Sequence, residues 1–125
     1  MIYDYQANGA AIYLQSFATI RAEADLERFT PEDEPIAVRM IHAAGMVELA
    51  AHVLISGNFT ARTRTALQRG APILCDARMV SEGITRARLP ANNEVICTLH
   101  AEGVPDRAKV MQTTRSAAAL ELWRP

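Results

Sequence analysis

The sequence predicts an α/β layer fold built on a parallel sheet. Two short apolar runs carry that reading: Ile73-Leu74-Cys75, which ends at Asp76, and Glu94-Val95-Ile96-Cys97-Thr98-Leu99. Both read as buried strands, and helical patterns alternate with them along the chain, which is the order a parallel sheet needs. The 125 residues are 50% apolar and 22% charged, an ordinary globular mix that suits one domain. A sheet of two or three strands is thin. The expected architecture is therefore a three-layer helix/parallel sheet/helix arrangement with an incomplete sheet. The chain ends just after an amphipathic segment whose Leu120 and Trp123 call for a packing partner. Residues 1–125 accordingly read as a single α/β domain whose C-terminal part is missing.

The helices follow in order. From Ala10 to Phe29 the residues Ile12, Phe17, Ile20, Ala24 and Phe29 fall near one stripe, with Arg21, Glu23, Asp25 and Glu27 mostly elsewhere. Thr30-Pro31-Glu32-Asp33 is a helix start: threonine caps, proline suits the first turn, and acids complement the positive pole. That helix is expected from Pro31 to about Ala44, with Gly45 as its stop. A further helix is expected over Val47 to Leu54, then a turn at Ser56-Gly57-Asn58. Thr60 is expected to cap a helix from Ala61 to Arg69 that ends at Gly70. Arg78 to Glu82 reads as a short helix closed by Gly83. Ile84 to Arg88 reads as extended, and Leu89 to Asn93 as a loop. Pro105 opens a helix to about Met111, and Thr113 or Thr114 caps the last one.

Composition narrows the function. Net charge is −1, so a nucleic-acid groove built on bulk charge is not expected. Of the 13 basic residues only Lys109 is lysine, and arginine is the cation whose planar fork pairs bidentately with carboxylate or phosphate. Cys75 and Cys97 form no CxxC pair and lie inside apolar runs, as free thiols of a reducing compartment do. Met1-Ile2-Tyr3-Asp4-Tyr5 lacks the basic and apolar regions of a leader. The longest apolar stretch, near Ala43 to Ile55, is interrupted by Glu48 and His52 and is not expected to span a membrane. A cytoplasmic protein is the expectation.

Four places hold residues that suit chemistry. His42 shares a helical face with Val38, Gly45, Met46 and Leu49, in the last turn before the expected stop, with Gly45 leaving space above the ring. A titratable ring among small and apolar groups suits a proton donor, and equally a packed core histidine. Thr85-Arg86-Ala87-Arg88 follows the first strand–helix unit, where ligands of open α/β sheets sit. If extended, it puts both arginines on one side. It also reads as a solvated loop. Thr114-Arg115-Ser116, followed by small residues, suits an anion or simple capping. Asp76 suits a strand-end cap or the orientation of a base. His52 and His100 lack partners at metal-ligand spacing, so no zinc site is expected, and no phosphate-loop, GxGxxG or GxSxG motif indicates a nucleotide cofactor or a nucleophile.

These motifs taken together resemble a family. Val38-Arg39-Met40-Ile41-His42-Ala43-Ala44-Gly45, Gly70-Ala71-Pro72-Ile73-Leu74-Cys75-Asp76-Ala77 and Gly83-Ile84-Thr85-Arg86-Ala87-Arg88-Leu89-Pro90 look like blocks of the precorrin-8X (cobalt-precorrin-8) methylmutases. So do Asn93 to Leu99, Thr114 to Leu120, and an N-terminal block with Tyr13, Ser16, Phe17 and Ile20 to Leu26. The resemblance implies an isomerase of cobalamin biosynthesis that moves a methyl group from C-11 to C-12 of precorrin-8X to give hydrogenobyrinic acid. It implies no metal and no nucleotide cofactor. It maps the family histidine onto His42 as proton donor and places Ser16, Thr85, Arg86 and Arg115 near the substrate, a flat apolar ring rimmed by carboxylates. It further implies a homodimer, a tetrapyrrole as the partner molecule, and neither nucleic acid nor membrane. Members continue beyond the length seen here, so a non-catalytic corrinoid-binding fragment or oligomerisation module stands as the alternative. The cobalt-containing and cobalt-free branches share these motifs.

Overall fold

The computed structural model describes residues 3–124. Met1 and Ile2, which belong to the segment read above for a leader, and Pro125 lie outside the described residues. The chain folds as two compact units, one up to Ala61 and one from Arg62 onward. It is helix-rich with a small parallel sheet, the α/β character that the sequence predicts. Among the described residues, no helix is long and apolar enough to cross a membrane.

The first unit is built on two helices, α1 (Gly9–Glu23) and α2 (Glu34–Ala44). Asn8 caps α1 by accepting from the Ala11 N–H at 3.0 Å. The helix is shorter than the stripe to Phe29 suggests. Ala24 turns extended, and the Asp25 carboxylate accepts from the Glu27 N–H at 3.3 Å, a local bond that competes with helix. Phe29 still packs on the core after this loop, whereas Ile12, on the same expected stripe, is 45% exposed. Thr30-Pro31-Glu32-Asp33 is a separate turn in which the Thr30 carbonyl accepts from Asp33 and Glu34. The helix proper therefore starts three residues later than expected.

Gly45 ends α2 as the sequence predicts. It adopts φ +66°, and its N–H donates to the Ile41 carbonyl at 2.8 Å. Met46 and Leu49 thus lie beyond the stop and do not continue the face of His42. The helix expected over Val47 to Leu54 is a 3-10 helix that ends at His52. The core contains Ile20, Val38, Ile41 and Ala50, with Phe17, Leu26 and Val47 against it. Each such aliphatic side chain contributes roughly 1.5–3 kcal/mol when fully buried. Two arginines tie the unit together. Arg21 forks onto Glu34 at 2.5 and 3.1 Å, and that hydrogen bond holds its guanidinium above the ordinary value. Arg28 donates to the carbonyls of Ala50 and Ala51 at 3.3 and 2.7 Å.

Helix α3 (Phe59–Gln68) starts one residue before Thr60. Thr60 therefore does not cap it; its hydroxyl donates to the Asp33 carboxylate. In the second unit β1 (Ile73–Cys75) pairs in parallel with β2 (Val95–Cys97), in the register Ile73 to Val95, Leu74 to Ile96 and Cys75 to Cys97. Helix α4 (Arg78–Gly83) follows β1. Asn93 is buried and fixes the approach to β2: its amide donates to the carbonyls of Leu67 and Ala71, both at 2.8 Å. Helices α5 (Val104–Val110) and α6 (Arg115–Leu120) bury Val104, Ala108, Ala118 and Ala119 against each other. Trp123, read above as wanting a partner, finds one: its indole N–H donates to the Thr98 hydroxyl at 3.1 Å, which itself donates to the Ala119 carbonyl at 2.8 Å.

Two substitutions test this account. An added Cβ at Gly45 meets nothing within 4 Å, so only the left-handed backbone resists it. Gly45→Ala should cost about 1 kcal/mol in a urea melt, and Gly45→Asn less. Asn93→Ala removes the donors of two carbonyls at a buried position and should cost about 2 kcal/mol or more by the same measurement.

Candidate functional site

The imidazole of His42 is held by α1. Residue 42 lies in the last turn of α2, two residues before its end. The Ser16 hydroxyl, one side of α1, meets His42 Nδ1 at 2.7 Å. Either group can donate in this bond, because the imidazole tautomer decides the direction. Phe17 meets the ring edge-on, with centroids 5.3 Å apart and planes at 84°, and Tyr13 lies tilted against it at 5.2 Å. Tyr13 and Phe17 also touch each other at 5.7 Å. The ring is half-buried, and no hydrogen bond to Nε2 is found among the described residues. A bond at one ring nitrogen fixes the ring's orientation and so the direction in which the other nitrogen points. The ring is thus not sealed in the core, and Nε2 is left without a partner among the described residues.

The helical spacing explains the convergence. Tyr13, Ser16 and Phe17 are three and four residues apart, so they share one face of α1. Arg39 lies three residues before His42 on α2, and its guanidinium carbon rests 5.3 Å from the Phe17 centroid. The sequence alone gives Tyr13, Phe17 and Arg39 no site role, although all three stand in the blocks quoted above; the available signal was that Tyr13 lies three residues before Ser16 and four before Phe17, and Arg39 three before His42.

The other candidates belong to the second unit. Arg86–Arg88 is a single 3-10 turn, with Arg88 N–H bonded to the Thr85 carbonyl and Leu89 N–H to that of Arg86, both at 3.0 Å. The extended reading of this segment is corrected. In a 3-10 turn, residues two apart diverge around the axis instead of sharing a side, so Arg86 and Arg88 do not act as a pair. Arg86 lines a cavity of about 380 Å³ with Arg78, Ser81, Glu82, Cys97 and His100 among its walls. Thr85, the residue before the turn, and Arg88 are not among them. Arg115 is the exposed first residue of α6, and Thr114 caps that helix by accepting from the Ala117 N–H at 3.1 Å. Asp76 does not cap α4, whose preceding residue is Ala77.

The cavities lined by the remaining histidines do not include Tyr13, Ser16 or Phe17 in their walls. His52 lines an apolar cavity of about 660 Å³ together with Ile36, Met40, Leu54 and Phe59. His100 is in the wall shared with Arg86. Among the described residues no three or more His, Cys, Asp or Glu side chains cluster to hold a metal ion. Cys75 and Cys97 are free thiols, the first buried and the second half-buried.

Comparison with known proteins places the sequence and fold in a family. A family profile described as precorrin-8X methylmutase matches residues 11–125. The chain is 58% identical to a precorrin-8X methylmutase of a Sinorhizobium species over 121 residues, 97% of this chain and 58% of that protein. It is 56% identical to the precorrin-8X methylmutase of Pseudomonas aeruginosa, again over 97% of this chain and 58% of the relative. The chain thus spans less than two thirds of the length of these curated relatives. A crystal structure of the Thermus thermophilus precorrin-8X methylmutase superimposes with a TM-score of 0.78 at 39% identity, covering 91% of this chain and 55% of that one. Sequence blocks, fold and matched span converge: the chain belongs to the precorrin-8X methylmutase family.

Proposed function

We propose that this chain carries the family's isomerisation, moving a methyl group from C-11 to C-12 of precorrin-8X to give hydrogenobyrinic acid, with His42 as the proton donor. The observation that supports this most is the 2.7 Å contact between Ser16 and His42 Nδ1, which orients the ring and leaves Nε2 to work. An intramolecular shift needs no external nucleophile. It needs one held geometry and one well-placed proton. Substrate and product are isomers, so each proton given to the macrocycle is matched by one that leaves it. His42 ends the cycle in the state in which it began.

In this reading Ser16, Thr85, Arg86 and Arg115 are the substrate-binding residues. The arginines pair with rim carboxylates, for which a guanidinium fork is suited. Ser16 does double service, since its hydroxyl also sets the imidazole. The substrate is a corrinoid tetrapyrrole, the protein works as a homodimer, and it resides in the cytoplasm, where the free thiols of Cys75 and Cys97 persist.

His42→Ala should lower methyl migration by at least about a hundredfold while binding of hydrogenobyrinic acid survives. An assay on precorrin-8X beside an absorbance titration reads both; unchanged turnover would remove the proton-donor role. Binding without turnover in the unaltered chain would instead make it a corrinoid-binding module. Ser16→Ala should lower kcat by about tenfold more than it raises KM, because it frees the ring without emptying the pocket. The native mass of the chain in solution should be twice that of one copy.

A further inference from the structure

The first unit contains three arginines, and two of them are engaged. Arg21 is paired with Glu34, and Arg28 is bonded to two main-chain carbonyls. Arg39 differs. Its guanidinium lies over the Phe17 ring, and no hydrogen bond or ion pair to it is found among the described residues. It is exposed. The guanidinium carbon lies 5.3 Å from the Phe17 centroid, and this contact gives the N–H donors no oxygen acceptor. The same Phe17 ring meets His42 edge-on. One aromatic side chain therefore sets both the cation and the imidazole, and two legs of 5.3 Å each bound their separation.

We infer that Arg39 is a substrate-recognition residue that grips a carboxylate at the macrocycle rim on the side where His42 works. The inference rests on the corrinoid reading above and adds a residue to it. A guanidinium stacked on an aromatic ring loses little freedom on binding, and a carboxylate fits its fork with two parallel bonds. An arginine three residues before His42 on the same helix adds affinity for a rim carboxylate on that side of the macrocycle. Lysine cannot repeat this: it is a point charge without the fork. Arg39 acts by binding and not by moving a proton, so its loss should raise KM and leave kcat nearly intact.

The test uses the full chain and two probes, hydrogenobyrinic acid and its methyl ester, titrated by absorbance. Arg39→Gln should weaken the acid by about tenfold and Arg39→Lys by a smaller factor, with ester binding unchanged in both. The loss should shrink in high salt. Two results overturn the inference: acid binding by Arg39→Gln equal to that of the unaltered chain, or an equal loss for acid and ester, which would mean that Arg39 only supports the packing of Phe17. If the unaltered chain binds neither probe, the corrinoid reading itself falls, and the role of Arg39 with it.

Discussion

One hydrogen bond between two helices organises the candidate site. It joins the Ser16 hydroxyl to Nδ1 of His42, residues 26 positions apart in sequence. The bond exists only because α1 lies along α2, and that packing is secured elsewhere. Ile20, Val38 and Ile41 bury the shared face, and the Arg21–Glu34 fork closes it at the start of α2. Neither helix could place the imidazole alone. An isolated helix of eleven residues is marginal in water, and a lone histidine in its last turn would be free to rotate. The placement of the imidazole is thus set by a tertiary contact, with the core as its foundation.

Local signals made much of this fold legible. The strand at Ile73–Cys75 has the bounds that its apolar run gives, and β2 is a trimmed version of its own run. Gly45 announced its left-handed stop, and Thr114 its cap. Where the reading failed, hydrogen bonds that periodicity does not register had decided the outcome. Thr60 looks like a cap, but Asp33 takes its hydroxyl from 27 residues away. The stripe to Phe29 looks helical throughout, but the Asp25 carboxylate takes the Glu27 N–H and turns the chain. Residues 84–88 alternate as a strand would; a three-residue turn bonds the Arg88 N–H back to the Thr85 carbonyl and scatters the arginines.

The site was half legible. His42 and Ser16 could be named from family blocks, and their spacing to Tyr13, Phe17 and Arg39 was open to view. That the hydroxyl touches the imidazole could not be read, since no periodicity states which face of one helix meets which face of another. The division of labour among arginines was equally hidden. All look alike in a sequence with a single lysine. Only the fold separates Arg21 and Arg28, spent on holding the unit together, from Arg39, whose donors remain open among the described residues.

The left-handed stop at Gly45 has a bearing on how such a chain can change over evolutionary time. Between the Glu34 anchor and that stop, α2 is a helix with no slack. Each residue of a helix advances the rotation by about 100°. A single-codon insertion or deletion upstream of His42 would swing the imidazole out of phase with Ser16 while leaving the apolar composition intact. Indels in this lineage should therefore collect in the loop at 24–33 and spare the eleven residues that follow, so that length conservation, more than residue identity, becomes the mark of a working α2.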